Sequence, residues 1–233
     1  MIYDRYGLIG HPIGHSRSPQ LFEAAYGGRY GYDLIEAEQF SLAWERFVEG
    51  PYRAINVTAP FKADAAAMAD FPDEAVKRLG AANIVVRTDR GMAAHNSDFL
   101  GVKLLLERYA SGMKSVSVIG FGGAGKAAAA AAEACGLETK VLRHNELENG
   151  VEADVIIFTL PKPAPGCELL RGKLLIEANY RNPSFGNGGL ELPEGCLLVP
   201  GLQWLAAQAV TGYELMTGEK PDAESIEKVM SNG

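Results

Sequence analysis

Two hydroxyls, Ser16 and Ser18, stand in Gly10-His-Pro-Ile-Gly-His-Ser-Arg-Ser-Pro19, just before an expected helix start. Hydroxyls beside free helix N–H groups suit a carboxylate; the plainer alternative is that Ser18 only caps the helix. Lys62 closes Asn56-Val-Thr-Ala-Pro-Phe-Lys62, at a strand end followed by a proline turn. An ammonium there, taken alone, is more often a solvated surface group. Asp98, taken singly, reads as an early helix residue that complements the helix dipole. Asn83 and Asn96 read as turn formers when taken singly. In the middle of the chain, Ser115-Val-Ser-Val-Ile-Gly-Phe-Gly-Gly-Ala-Gly-Lys126 sets Gly120, Gly122 and Gly125 at G-x-G-x-x-G spacing. A strand before the turn and an alanine run after it suit a dinucleotide pyrophosphate, the plainer alternative being an ordinary βα turn. The next strand ends Val141-Leu-Arg143-His144, without the acid that an NAD site usually places about 20 residues beyond the glycines. Arg143 is either a partner for a 2′-phosphate or an exposed strand-end charge.

The elements that must position these groups alternate. Strands are expected at Tyr6–Ile9, Tyr32–Glu36 and Ala54–Val57, and helices at Leu21–Tyr26 and Leu42–Val48. Ser18-Pro19 resembles an N-cap followed by proline at the first helical position. Helices Ala63–Ala69 and Glu74–Leu79 follow, then strands Asn83–Arg87 and Met92–His95 joined by the turn Thr88-Asp-Arg-Gly91. Ser97–Tyr109 is a helix and the candidate connector between domains. After the glycine turn come strands at Thr139–Leu142, Val155–Thr159, Leu174–Ala178 and Leu197–Val199. Arg143–Asp154 is short for a full crossover helix. Pro161–Gly166 and Asn182–Gly189 read as loops, and helices at about Leu202–Leu215 and from Ala223 complete the chain. The alternation predicts an α/β fold with mainly parallel strands.

Composition narrows the class. With 233 residues, 47% hydrophobic and 22% charged, the chain can bury a sizeable core in one large or two small domains. Acidic residues outnumber basic ones 29 to 22, for a formal charge of −7, which argues against non-specific nucleic-acid binding. The start, Met1-Ile-Tyr-Asp-Arg-Tyr-Gly, lacks a signal-peptide layout, and no apolar run is long enough for a membrane span. Cys135, Cys167 and Cys196 read as reduced thiols of a cytoplasmic protein, and neither they nor His11, His15, His95 and His144 make a metal pattern.

The segments Gly10–Pro19, Asn56–Lys62, Gly80-Ala-Ala-Asn83, Asn96-Ser-Asp98…Gly101, the glycine turn and Gly201…Gln208 occur in an order that resembles the shikimate dehydrogenase family. The resemblance covers nearly the whole chain. It implies a mainly parallel αβα substrate domain over residues 1–99, joined by helices in 202–233, and a Rossmann-like NADP domain over 100–201, with a cleft between them. It implies that Ser16 and Ser18 bind the substrate carboxylate, with Tyr180 near it, and that Lys62 and Asp98 form the catalytic pair. Asn83, Thr58 and Gln208 would hold ring hydroxyls. Gly120, Gly122, Gly123, Ala124, Gly125, Arg143 and Gly201 would bind NADP.

The activity so implied is reversible, NADP-dependent reduction of 3-dehydroshikimate to shikimate, in aromatic amino acid biosynthesis, by a monomer or homodimer. Two alternatives stand beside it: a quinate/shikimate dehydrogenase using NAD, with Glu146 near the ribose, and a shikimate-binding regulatory protein without turnover. A methylenetetrahydrofolate-type dehydrogenase is disfavoured by the Ser-x-Ser motif. The chain departs from the family in its cofactor motifs. Leu142-Arg143-His144 keeps only the arginine of an Asn-Arg-Thr/Ser clamp, and Phe158-Thr-Leu-Pro161-Lys162 lacks the usual methionine stretch.

Overall fold

A computed structural model describes residues 4–186 and 189–231. Strands β1 (Arg5–Gly10), β2 (Gly31–Glu36) and β3 (Tyr52–Val57) alternate with helices α1 (Ser18–Tyr26) and α2 (Phe40–Glu49). Then come α3 (Lys62–Met68), β4 (Phe71–Pro72), α4 (Glu74–Leu79), the hairpin β5 (Ile84–Thr88) and β6 (Gly91–His95), and α5 (Ser97–Tyr109). The next stretch holds β7 (Ser115–Ile119), α6 (Gly123–Ala134), β8 (Glu138–Leu142), a 3-10 turn (His144–Glu146), β9 (Val151–Glu152) and β10 (Val155–Phe158). A second 3-10 turn (Cys167–Leu169), β11 (Leu170–Arg171), β12 (Leu174–Glu177), β13 (Leu197–Val199), α7 (Gly201–Thr217) and α8 (Ala223–Ser231) complete the order. Positions 187 and 188 of the expected Asn182–Gly189 loop, and the first three residues of the chain start, lie outside the described residues.

Two compact units divide after Ser97 and after Gln208, so the first consists of residues through Ser97 and from Ala209 onward. Its six strands run in the order β2-β1-β3-β5-β6-β4. β1 pairs in parallel with both β2 and β3, and only β5 runs against its neighbours. β1 is buried along almost its whole length, as expected for a parallel strand covered on both faces. One layer of its core joins Ile9, Ile55, Val57 and Val85 to Phe47 of α2 and Ala65 of α3. Phe22 and Phe47 are fully buried, each contributing about 1.5–3 kcal/mol by leaving water.

The second unit holds an all-parallel sheet in the order β13-β12-β10-β7-β8. The short β9 and β11 form a separate parallel pair. The segment after β8 carries only a 3-10 turn and β9 before β10, so the pared-down crossover expected from its length is what forms.

Two expectations need correction. Ser18 does not cap α1: the helix starts with Ser18 itself, Pro19 is its second residue, and Arg17 sits at the cap without a side-chain bond. A proline fits there because its missing N–H would have had no partner in the first turn. The second boundary between units also falls later than residue 202. The first half of α7 packs in the second unit, where Trp204 and Ala207 are buried with Val102, Val118 and Ile176.

Candidate functional site

In the first unit, β1 has β2 on one side and β3 on the other, so the strand order reverses there. Loops leaving neighbouring parallel strands at such a reversal part in opposite directions and leave a crevice at the carboxyl ends. The Ser16/Ser18 loop leaves β1, and the Thr58–Lys62 turn leaves β3. Backbone bonds hold the two loops together: Thr58 N–H donates to Ile9 C=O at 2.9 Å and His11 N–H to Ala59 C=O at 3.2 Å. Gly10 has no room for a side chain, because a Cβ there would lie 2.4 Å from the Thr58 methyl and 2.6 Å from Ile13 Cγ2.

Because β5 is antiparallel to β3, its start comes to this same edge, and β6 returns its end there. Asn83 precedes β5 and is buried. Its C=O accepts from Val57 N–H at 2.9 Å, and its N–H donates to His95 C=O at 3.1 Å. Ala82 N–H donates to Lys62 C=O at 2.8 Å, which ties the first residue of α3 to the same segment. Asn83 Oδ1 accepts from Ser97 N–H at 2.6 Å, so it caps α5, while the amide NH₂ of Asn83 is left to donate to a ligand. Asn96 is structural: buried, it donates from Nδ2 to Ala81 C=O at 2.9 Å. Ser16, Ser18, Thr58, Lys62 and Asn83 thus follow or precede strand ends at one edge of one sheet. Asp98 follows Ser97 directly in the first turn of α5.

The hydroxyl pair is backed by residues that the sequence did not single out. Ser16 Oγ and Ser18 Oγ are 3.1 Å apart, and Ser18 N–H donates to Ser16 Oγ at 3.2 Å. Tyr32 donates its hydroxyl to Asn56 Oδ1 at 2.7 Å, close enough to Ser18 for the serine to act on its pKa. Tyr213 of α7 donates to Ser18 C=O at 3.4 Å. Burial raises the pKa of both Tyr32 and Tyr213 well above that of a free phenol, so both stay neutral donors. The signal available was a tyrosine at an inward position of β2, which reads as core packing until its hydroxyl is located.

The glycine turn of the second unit forms as its spacing predicts. Gly120 has φ +112°, a conformation that favours glycine, and a Cβ at Gly125 would sit 2.2 Å from Gly120 O. A Cβ at Gly122, the cap of α6, or at Gly123 would meet nothing within 4 Å, which leaves space where a phosphate would approach the helix N–H groups. Ala124 and Gly125 continue that first turn. These residues fit a dinucleotide. Arg143 follows β8 and is exposed; its N–H donates to Glu146 Oε2 at 2.7 Å. Glu146, the candidate partner for an NAD ribose, therefore closes its own 3-10 turn.

Gly201 packs on the backbone of Asn179 and Tyr180, where a Cβ would lie 2.3 Å from Asn179 O. Gln208 lies against Gly101 of α5, with only 2.9 Å between a Cβ at Gly101 and Gln208 N. Asp98 and Gly101 are three apart on a helix and share a face, so Gln208 lies on the side of α5 that carries Asp98. Glu177, at the end of β12, is fully buried; Ser184 N–H donates to its Oε1, and burial raises its pKa. Among the described residues, no cluster of three or more His, Cys, Asp or Glu side chains could hold a metal ion.

An all-parallel sheet with a glycine turn opening a helix, preceded by a second α/β unit with a polar strand edge, describes a two-unit protein of the dinucleotide-binding type. The family model for the shikimate dehydrogenase substrate binding domain matches residues 8–85. The shikimate dehydrogenase (NADP(+)) of Xanthomonas oryzae is 33% identical, spanning 97% of this chain and 95% of its own length. That of Anaeromyxobacter dehalogenans is 32% identical over 89% of this chain and 77% of its own. The crystal structure of Thermus thermophilus shikimate 5-dehydrogenase in complex with NADP(H) and shikimate matches with a TM-score of 0.82 at 27% identity, covering 100% of this chain and 99% of that one. The chain belongs to the shikimate dehydrogenase family.

Proposed function

We propose that this chain is an NADP-dependent shikimate dehydrogenase that reversibly reduces 3-dehydroshikimate to shikimate. The observation that carries the reading is the single sheet edge at which Ser16, Ser18, Thr58, Lys62 and Asn83 are gathered, in a member of this family. In this reading the first unit binds the substrate and the second unit binds NADP. Ser16 and Ser18 take the substrate carboxylate, with Tyr180 beside it, and Thr58, Asn83 and Gln208 hold ring hydroxyls. NADPH supplies the hydride. Lys62 then stabilises the charge growing on the carbonyl oxygen and protonates it. Asp98 keeps the ammonium charged and oriented. In the oxidative direction the neutral amine accepts the alcohol proton. Gly120, Gly122, Gly123, Ala124 and Gly125 admit the diphosphate, Gly201 supports the loop that carries Tyr180, and Arg143 meets the 2′-phosphate.

The partners are small molecules, and the setting is the cytoplasm. No helix among the described residues is long and apolar enough to cross a membrane.

The test is turnover with shikimate or quinate, each paired with NADP⁺ or NAD⁺, followed by absorbance of the reduced cofactor. Fast turnover with shikimate and NADP⁺ supports the reading. Preference for quinate and NAD⁺ would replace it with the quinate variant, and shikimate binding without any turnover would leave a binding protein. Lys62→Met should lower kcat by about 100-fold or more while changing shikimate affinity less.

A further inference from the structure

Phe121 occupies the second position of the glycine turn and is half exposed, at 51%. Two cations lie near its ring. Lys126 Nζ lies 5.2 Å from the ring centroid and Arg143 Cζ lies 5.7 Å from it. Lys126 belongs to the first turn of α6, and Arg143 to the end of β8, the strand beside β7. Both side chains are exposed. Among the described residues, neither makes an ion pair with a carboxylate. Glu146, the acid next to Arg143, accepts a backbone N–H instead.

Lys126 stands at the wrong end of its helix. A cation in the first turn adds to the positive end of the dipole and costs about 0.3–1 kcal/mol. No acidic residue in that turn offsets it, and no side chain caps the helix. The ring offers partial compensation, because a cation over an aromatic face gains about 0.5–1 kcal/mol at an exposed site. The remaining field is positive from the α6 N–H groups, Lys126 and Arg143 together, and what it lacks is an anion.

We infer that Lys126, braced on the same Phe121 ring as Arg143, is a second cation for the 2′-phosphate of NADP and sets the preference for NADP over NAD. This rests on the proposed NADP-dependent function. The diphosphate already has the helix N–H groups, whereas the end of the second strand is where the adenosine ribose is read. A 2′-phosphate carries close to two negative charges, which one guanidinium leaves half met. Phe121 acts as a positioning residue that holds the two cations against its ring. Lys126 and Phe121 thereby take over from the clamp positions that Leu142 and His144 have given up.

The test uses 2′,5′-ADP and 5′-AMP, titrated by calorimetry into the full chain and into Lys126→Met, Lys126→Arg and Phe121→Ala. The full chain should prefer 2′,5′-ADP. Lys126→Met should weaken 2′,5′-ADP by about tenfold or more and 5′-AMP by less than about twofold, the size of one lost charge-assisted bond. Lys126→Arg should restore it, and Phe121→Ala should fall between. Equal weakening of both nucleotides would place Lys126 on the 5′-phosphate, and no weakening of either would remove it from the site; both overturn the inference. Absence of any turnover with shikimate and NADP⁺ would sink the function instead, and the nucleotide titrations separate the two failures.

Discussion

The side-chain oxygen of Asn83 accepts the backbone N–H of Ser97 at 2.6 Å, joining the start of β5 to the start of α5. One half of the amide is thereby committed to the fold and the other half is left to donate.

That division can be tested by splitting the two halves. Asn83→Asp keeps an acceptor for Ser97 N–H and removes the donor, so KM for shikimate should rise about tenfold with little change in melting temperature. Asn83→Leu removes both. It leaves the Ser97 N–H without its acceptor and should cost a further 1–3 kcal/mol or so of stability in denaturant unfolding. A stability loss of equal size in both variants would contradict the division.

Tyr32 donates its hydroxyl to Asn56 Oδ1 and lies beside Ser18. Tyr32→Phe keeps the ring and removes only that link. Steady-state kinetics should show KM for shikimate raised by about fivefold, with kcat and KM for NADP⁺ held, as for loss of one neutral hydrogen bond acting through the serine. A fall in kcat alone would assign Tyr32 a different part.

The glycine turn yields opposite outcomes at two of its positions. Gly125→Ala drives a Cβ to 2.2 Å from Gly120 O, and overpacking of this kind should cost about 1–3 kcal/mol in thermal or denaturant unfolding. Gly122→Ala has nothing within 4 Å of its Cβ and φ −75°, so the fold should be unaffected. Dinucleotide binding should nevertheless weaken in Gly122→Ala, because the methyl occupies the phosphate's approach.

Asp73 caps α4, accepting from Val76 N–H at 2.8 Å, and lies 2.9 Å from His95 Nδ1. Burial alone would raise its pKa, but the bonds from His95 and Val76 outweigh it and hold the carboxyl below its ordinary 3.8. Its contribution to stability is therefore present above that value and is lost as pH falls through the lower folded value. Asp73→Ala should cost about 1 kcal/mol at neutral pH. The difference between variant and parent should shrink in acid melts below pH 3.8. A gap that stayed constant with pH would separate the cap from the charge.

Much of the architecture was legible because periodicity follows burial. The all-parallel second sheet, the β5–β6 hairpin and α5 lie where apolar runs and turn residues predict. The glycine turn was legible because its spacing reflects steric demands: Gly120 takes a positive φ, and Gly125 packs on Gly120 O. The two-residue strands β4, β9 and β11 were not, since two residues carry no period. The start of α1 differs from expectation because a serine before a proline looks like a cap, whereas Ser16 supplies the oxygen that meets the Ser18 N–H. Tyr32, Asn56 and Tyr213 escape a sequence reading because their polar atoms matter only through neighbours distant in the chain. Lys126 escapes it because a lysine in an alanine helix reads as a solvated charge until Phe121 and Arg143 are seen around it.

The first unit is closed by a segment made long after its first strands. Asp222 N–H donates to Ala25 C=O at 2.9 Å, and Arg17 donates to Val229 C=O, 212 positions along the chain. Ile226 and Met230 of α8 are buried, as is Phe22 of α1. At ribosomal speeds of about 5–20 residues per second, α1 waits roughly ten to forty seconds for its cover. The second unit, made in one unbroken run, has no such wait. The order of synthesis therefore finishes the second unit first, and the first unit is sealed only once α8 has been made.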